Sequence, residues 1–398
     1  MVFALALGMI LISASIPVSV AGQTATQSNS STQGTQGLCA KEVVSGVNAL
    51  LANINSAKAQ ELAEQSAQFQ TEVAGHGYKF VTVAAVASFN SETCKATTLE
   101  KLSVDFTLND EYVTSGTTTV PAGVTVFENP ALTGVLNVTL DLSVQGLEFF
   151  SGYEATYQVS GVLQPLLETQ QYYYEPSFNY NSNCYTYYQY NTAYQCEVST
   201  WSGISGSYGG GGFLVQSGTN VLFQCNAGGT CSSGVYGAWW DWVPSGPAYS
   251  FGGSVAVSDY ITPLEENMYY VGGTLNQYEA AVIDWTQNWA ASTSPLSVGQ
   301  TAYWSQSEFE IPGPNSGGSA PAALPTFGTA TMYYATLCWG TTNSCAYWGN
   351  VANIVIRSPA DTMVNYCPAT GSNVQNILLS SVSSFGTYTQ TYNTNCGT

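Results

Sequence analysis

The sequence predicts an all-β sandwich preceded by a smaller α+β unit, and three observations predict it. Beyond about residue 146, Gly, Ser, Thr, Tyr and Trp dominate. Short strand-like runs there alternate with turn residues, the pattern of many antiparallel strands. Before that point, apolar residues recur at three- and four-residue steps over 40–75, then give way to strand-like runs. The charge changes along the same line. Lys41, Lys58, Lys79, Lys95 and Lys101 all precede residue 102, whereas from residue 146 onward Arg357 is the only base against fourteen Asp and Glu.

The elements follow in order. Residues 1–21 read as a secretory signal, with the apolar core VFALALGMILI and the small residues Ser19, Val20 and Ala21 at the cleavage site. No Lys or Arg precedes that core, so a retained anchor is the alternative. No later stretch is long and apolar enough to span a bilayer. Residues 22–37, GQTATQSNSSTQGTQG, are small and polar and are expected to be a disordered leader. Over 38–145 an α+β N-terminal unit is expected. Its helix is marked by Val43, Val44, Val47, Leu50, Leu51, Ile54 and Ala57 and by the helix formers of AKAQELAEQSAQ. Its strands are KFVTVAAVASF, KLSVDFTL, GVTVF and GVLNVTLDLSV. The sandwich occupies 146–398. Its strands are EATYQVSG, GGFLVQSG, VYGAWWDWV, FGGSVAVSDY, MYYVGGTL, YEAAVIDWT, SEFEIPG, GTATMYYATL, VANIVIRS and GTYTQTYN. The tyrosine-rich stretch 171–194 contains Cys184 and reads as an ordered loop or hairpin.

Only 8% of the residues are charged, against roughly a quarter in an ordinary globular protein. Below about pH 3 most free carboxylates are protonated, and the self-repulsion of the acidic region largely vanishes. The composition therefore suits an acidic external medium. No basic patch exists to neutralise phosphates, so nucleic acid is not an expected partner. The ten cysteines, with an export signal and no CxxC pair, point to disulfides. Near neighbours are paired: 39–94, 184–196, 225–231, 338–345 and 367–396. His76 is the only histidine, which argues against a zinc site. A Ser–His or Cys–His nucleophile pair would have to use it as the base, which argues against that chemistry too. No metal and no cofactor is expected.

One residue stands out. Gln216 ends the apolar run Phe213, Leu214, Val215 just before Ser217 and Gly218. WSGISG (201–206) lies upstream, AWWDWVP (238–244) downstream, then QSEFEIPG (306–313) and LPTFGTATM (324–332). In this order the blocks resemble the glutamic peptidases, or eqolisins. That family carries Trp-x-Gly-Ile-Asp-Gly, an apolar-Leu-Gln-x-Gly strand, Ala-Trp-Tyr-Glu-Trp-Tyr-Pro, Ala-Glu-Trp-Ile and a Phe-Gly-x-Val strand. FFSGY (149–153) and VSGVLQP (159–165) look like the family's opening motifs, and the resemblance covers about residues 148–395. It implies a jelly-roll sandwich of the lectin or glucanase kind, with the cleft on a concave sheet. It also implies a secreted zymogen acting on polypeptides, with its own propeptide as inhibitor, and the early lysines fit a basic prosegment independently. Carried over residue by residue, Gln216 and Glu308 match the catalytic pair, and Trp201, Trp239 and Asp241 match substrate-binding positions. Ser205 stands where the family has Asp, and Asp241 where it has Glu. The chain is expected to act as a monomer, free of the membrane once the signal is cleaved.

The chemistry fits those residue types. A carboxylate takes a proton from water and returns it to the leaving amine. An amide N–H donates to the developing oxyanion, and it has no proton of its own to lose in acid. Each residue also has a plainer reading. Gln216 is the outward residue of a half-buried strand, Glu308 and Glu310 share a solvated face, Asp241 is a satisfied core carboxyl, and the WWDW aromatics are core. Two other functions use the same architecture. One is an acid glycoside hydrolase with Glu308 paired to Glu310 or Asp241 and with Trp239 and Trp240 stacking sugars. The other is a non-catalytic lectin-like surface binding protein.

Overall fold

The computed structural model describes residues 30–115, 118–132, 135–141, 149–180, 186–188, 193–207, 212–225, 231–243, 247–268, 276–311, 325–340, 344–357 and 377–394. The expected signal (1–21) and the first half of the leader (22–29) lie outside them; the second half, 30–37, is not the disordered leader expected but the start of a helix, Ser30–Leu51. No described helix is long and apolar enough to cross a membrane.

Two large antiparallel sheets face each other, as the strand pattern predicts. One, the site sheet, runs Tyr249–Ser254, Val235–Val243, Leu214–Cys225, Ala193–Ser205, Trp304–Ile311, Phe149–Val159, Ile354–Arg357. The other, the back sheet, has at its centre Thr329–Trp339, Leu166–Tyr174, Tyr260–Asn267, Gln277–Asp284 and Trp289–Thr293. Alternate residues of each strand point between the sheets. Val198, Ile204, Val215, Trp240 and Phe309 of the site sheet meet Tyr173, Ile261, Tyr278, Val282 and Met332 of the back sheet in one apolar core. The MYYVGGTL run lies almost wholly outside the described residues, and the strand before it is Tyr260–Asn267.

The expected helix over 40–75 is three helices, Ser30–Leu51, Ser56–Gln65 and Ala67–Glu72. Two N-caps divide it: Asn55 accepts from the Lys58 amide and Ser66 from the Phe69 amide, each at 3.0 Å. The boundary expected near residue 145 does not separate two compact bodies, since Cys39–Thr398 folds as one unit. Strand Tyr78–Asn90 pairs with Trp289–Thr293, Ala84 opposite Thr293 and Ser88 opposite Trp289. Lys95–Ser115, Thr118–Glu128 and Val135–Asp141 then continue the back sheet. From Cys39 onward the helices pack on the outer face of that sheet. Val43, Val44, Val47 and Phe69 share a second core with Leu264, Ala281, Ile283 and Ala290. A propeptide acting as inhibitor is expected to lie over the cleft, whereas the helices of this unit cover the face of the back sheet turned away from the site sheet. The reason is the back sheet itself, which buries side chains on both faces and needs a cover on each.

The tyrosine-rich stretch is part strand and part hairpin. Leu166–Tyr174 lies at the centre of the back sheet, and Thr186–Tyr188 pairs with the start of Ala193–Ser205. Two expected disulfides, Cys39–Cys94 and Cys338–Cys345, are formed. Cys231 is also disulfide-bonded. The remaining pairings rest on side chains outside the described residues.

Candidate active site

Register places the site. Across three neighbouring strands, Gln216 lies opposite Gly203, and Gly203 opposite Gln306. Asp241 flanks Gln216 on one side of this row, and Glu154 flanks Gln306 on the other. Two residues along, the next row reads Trp239, Gly218, Trp201, Glu308, Gly152. Residues opposite one another in a ladder project to one face. All five residues singled out in the sequence therefore share the face turned away from the back sheet. Trp240 and Trp242 alternate to the inner face, where Trp240 stacks on Tyr249 with ring centroids 4.8 Å apart. Trp239 and Trp240 thus point in opposite directions and cannot sandwich one sugar.

The face is outward, yet its polar residues are buried: Gln216 is 4%, Glu308 2% and Asp241 1% exposed. Part of the cover is local. Trp201, Leu214 and Trp239 form a small apolar cluster with Val243 and Ala248. Leu214 and Trp201 meet above Gly203, where a Cβ would stand 2.8 Å from Leu214 Cδ1 and 3.0 Å from Trp201 Cζ3. At Gly218 a Cβ would lie 2.1 Å from the Thr200 carbonyl oxygen, and at Gly152 2.1 Å from that of Ser307. These glycines allow close backbone approach beside the bulky and charged members of the row.

Gln216 is buried, and its amide nitrogen donates to Asp241 Oδ2 at 3.4 Å. Its Oε1, and Oε1 of Glu308, have no hydrogen-bond partner among the described residues. The two residues are two strands apart and offset by two positions, which sets their Cα atoms roughly 12 Å apart from strand spacing and rise. Burial pushes the Glu308 carboxyl well above the ordinary range, and the charges of Glu154 and Glu310 push it further in the same direction.

A serine stands beneath each site strand, on the inner face. Ser217, between Gln216 and Gly218, and Ser202, between Trp201 and Gly203, both hydrogen-bond Glu265 of the back sheet, at 2.6 and 2.7 Å. Ser307, between Gln306 and Glu308, bonds Gln171 and Tyr388. Gln171 also donates to the Trp201 carbonyl at 2.8 Å. The back sheet thus fixes the backbone under each site residue. Sequence reasoning missed these anchors, whose only local trace is a serine following Trp201, Gln216 and Gln306 in WSG, QSG and QSE. It also missed Glu154 and Gln306, whose place depends on strands distant in the chain.

Of the twelve described Asp and Glu residues beyond 146, eleven are buried; Glu197 alone is not. Burial pushes Glu175, Glu265 and Glu279 up to about 8, and Glu266 and Asp284 up to about 7. Burial thus favours the neutral acid at these five groups. Among the described residues, one group has metal-ligand spacing, Glu168 with Cys338 and Cys345. Its two sulfurs are bonded to each other, which leaves no thiolate to ligate.

No protein-family model matches the chain, and no curated protein does. Among solved structures it is similar to scytalido-glutamic peptidase bound to a peptide-based transition-state analogue. That likeness is 15% identity and a TM-score of 0.39, over 62% of this chain and 98% of that one. A second structure of that peptidase, with a transition-state analogue inhibitor, gives 16%, 0.38, 61% and 98%. Aspergilloglutamic peptidase from Aspergillus niger is 22% identical with a TM-score of 0.31, over 50% of this chain and 99% of that one.

Proposed function

We propose that the chain is an acid-acting endopeptidase of the glutamic type, exported to an acidic medium, with Gln216 and Glu308 as its catalytic pair. One observation carries the reading. A buried amide and a buried carboxyl stand on one face of one sheet, each with an oxygen that lacks a partner among the described residues. The order of the motifs around them supports the same pair. In the proposed reaction Glu308, ionised, takes a proton from a water as the water oxygen attacks the peptide carbonyl carbon. The carbonyl electrons move onto oxygen, and one Gln216 Nε2–H donates to that oxyanion while the other stays on Asp241. Glu308 then hands its proton to the leaving nitrogen as the C–N bond breaks. Trp201 and Trp239 flank the pair and bind the substrate chain. The α+β unit is read here as a lasting part of the enzyme, because its strand pairs with the back sheet and its helices share a core with it.

The test is cleavage of a quenched fluorogenic peptide in acid, with a polysaccharide as control. Wild type cleaves the peptide only. Glu308→Gln abolishes turnover, and Gln216→Ala lowers it by about a hundredfold or more, the loss of an oxyanion donor. Substantial peptide cleavage by Glu308→Gln ends the assignment.

A further inference from the structure

Glu154 lies on the strand next to Glu308, and nothing in the motif comparison gives it a role. Register sets Glu308 directly opposite Gly152 and sets Glu154 opposite Gln306. The two glutamates are therefore diagonal neighbours on one face, with Cα atoms about 7–8 Å apart, within reach of long side chains. Of the two corners flanking this diagonal, one is Gln306 and the other is Gly152, which offers no side chain and admits none, since its Cβ would fall 2.8 Å from Glu308 Cα as well as on the Ser307 carbonyl. Glu154 is 1% exposed and Glu308 2%. On the far side of Glu154, Arg357 is its direct register partner, and the guanidinium lies over the Trp304 ring, 5.6 Å from the centroid. Two buried carboxyls at this separation do not both ionise readily, and a cation beside one of them decides which keeps the charge.

We propose that Glu154 and Glu308 share one proton above Gly152, with Arg357 holding the charge on Glu154 and the proton left on Glu308. The proposal rests on Glu308 as the acid–base group and adds what tunes it. Glu154 is a positioning residue: it sets the pH at which Glu308 becomes a base. The other titratable groups toward Glu308 among the described residues are Glu310 two positions along its strand, Asp241 and Glu197 on the same face, and the Tyr388 phenol from the back sheet. Asp241 and Glu197 lie beyond the intervening rows, and Tyr388 lies beneath the sheet. Glu310 shares the face but has no cation in register. The pair with a glycine at its corner and a cation in register is Glu154 with Glu308.

The test reads Glu308 directly. The infrared carbonyl band that Glu308→Gln removes is followed against pH in wild type, Glu154→Gln and Arg357→Gln. In Glu154→Gln the band should vanish at a pH lower by about one unit or more, since coupled sites differ by at least that much. The acid limb of peptide cleavage should move down with it. Arg357 is exposed, so Arg357→Gln leaves the fold intact, and the first ionisation of the pair should move up. A band that titrates at the wild-type pH in Glu154→Gln overturns the proposal, and so does loss of cleavage at every pH with the band unmoved. A wild type that cleaves no peptide refutes the peptidase reading, while the band still decides whether the proton is shared.

Discussion

Glu265→Gln should stabilise the protein near neutrality and do little in acid. Glu265 is fully buried between the sheets, with Ser202 Oγ at 2.7 Å from one oxygen and Ser217 Oγ at 2.6 Å from the other. Ser217 Oγ also lies 2.8 Å from the Ala281 carbonyl, which it can only donate to. A protonated Glu265 completes this set: Ser202 donates to it, it donates to Ser217, and Ser217 donates to Ala281. An ionised Glu265 must compete for the Ser217 proton. Burial accordingly pushes the carboxyl up to about 8, from roughly 4.3 in the unfolded chain. The raised value means that the folded state binds the proton more tightly. Stability is therefore full below about pH 4, falls between there and about pH 8, and is flat above. At roughly 1.4 kcal/mol per unit this single group removes up to about 5 kcal/mol, comparable with the whole stability of an ordinary domain. Glutamine mimics the neutral acid, its oxygen accepting from Ser202 and its nitrogen donating to Ser217. Denaturant unfolding followed by tryptophan fluorescence at pH 3.5 and at the highest pH where both proteins fold supplies the comparison. Equal stability in acid within about 1 kcal/mol is expected, with a gain of several kcal/mol at the higher pH. A gain that does not grow with pH, or a loss of about 3 kcal/mol in acid, refutes the neutral network.

The remaining predictions concern the site and the whole chain. The raised carboxyl of Glu308 places the acid limb of kcat/KM above the ordinary range of about 4.3; a limb at or below pH 4 would contradict it. Glu175, Glu265 and Glu279 near 8 and Glu128, Glu266 and Asp284 near 7 act in the same direction, so circular dichroism should show unfolding before neutrality, and a fold intact at pH 8 contradicts this. Gly152→Ala should abolish turnover and lower Tm, because its methyl group meets the Ser307 carbonyl at 2.1 Å; an active, stable variant would show that the strands can separate there.

Much of the site face was legible because a strand's period of two needs no partner. The run VYGAWWDWV puts Trp239 and Asp241 on one side and Trp240 on the other, whatever it pairs with. Gln216 and Gly218, and Glu308 and Glu310, follow the same rule. Which rows these residues join was not legible. Trp304–Ile311 inserts between Ala193–Ser205 and Phe149–Val159, a pairing across more than a hundred residues that no local pattern encodes. Glu154 enters the site through that pairing alone. Leu166–Tyr174 escaped because LLETQQYYY has no apolar face. Thr169 and Gln171 bond polar groups of the site sheet, while Glu168 meets Lys41 of the first helix, so both faces are buried and both are polar.

The interior and the site answer to the same chemistry. A chain with one base beyond residue 146 cannot bury eleven carboxyls as ion pairs. Lys41 pairs with Glu168 and Glu266, while burial favours the neutral, hydrogen-bonding form of Glu175, Glu265, Glu279 and Asp284, a form open only where protons are abundant. The proposed site uses the same substitution. Histidine, already charged in acid, gives way to an amide that never titrates and a carboxyl whose affinity for its proton is raised by burial and neighbours. The two ends of the working range then have separate causes. On the proposed function the lower end is the ionisation of Glu308, whose affinity for its proton Glu154 and Glu310 raise. The upper end is the ionisation of acids that touch no substrate, Glu175 under Thr219, Glu265 under Ser202 and Ser217, and Glu279 beside Asn48. Because the two ends rest on different residues, they can be moved independently. Glu154→Gln should extend activity toward stronger acid without changing the pH of unfolding, and Glu265→Gln should extend it toward neutrality without moving the acid limb. If either substitution shifts both ends together, the interior and the site titrate as one network, and the division drawn between them fails.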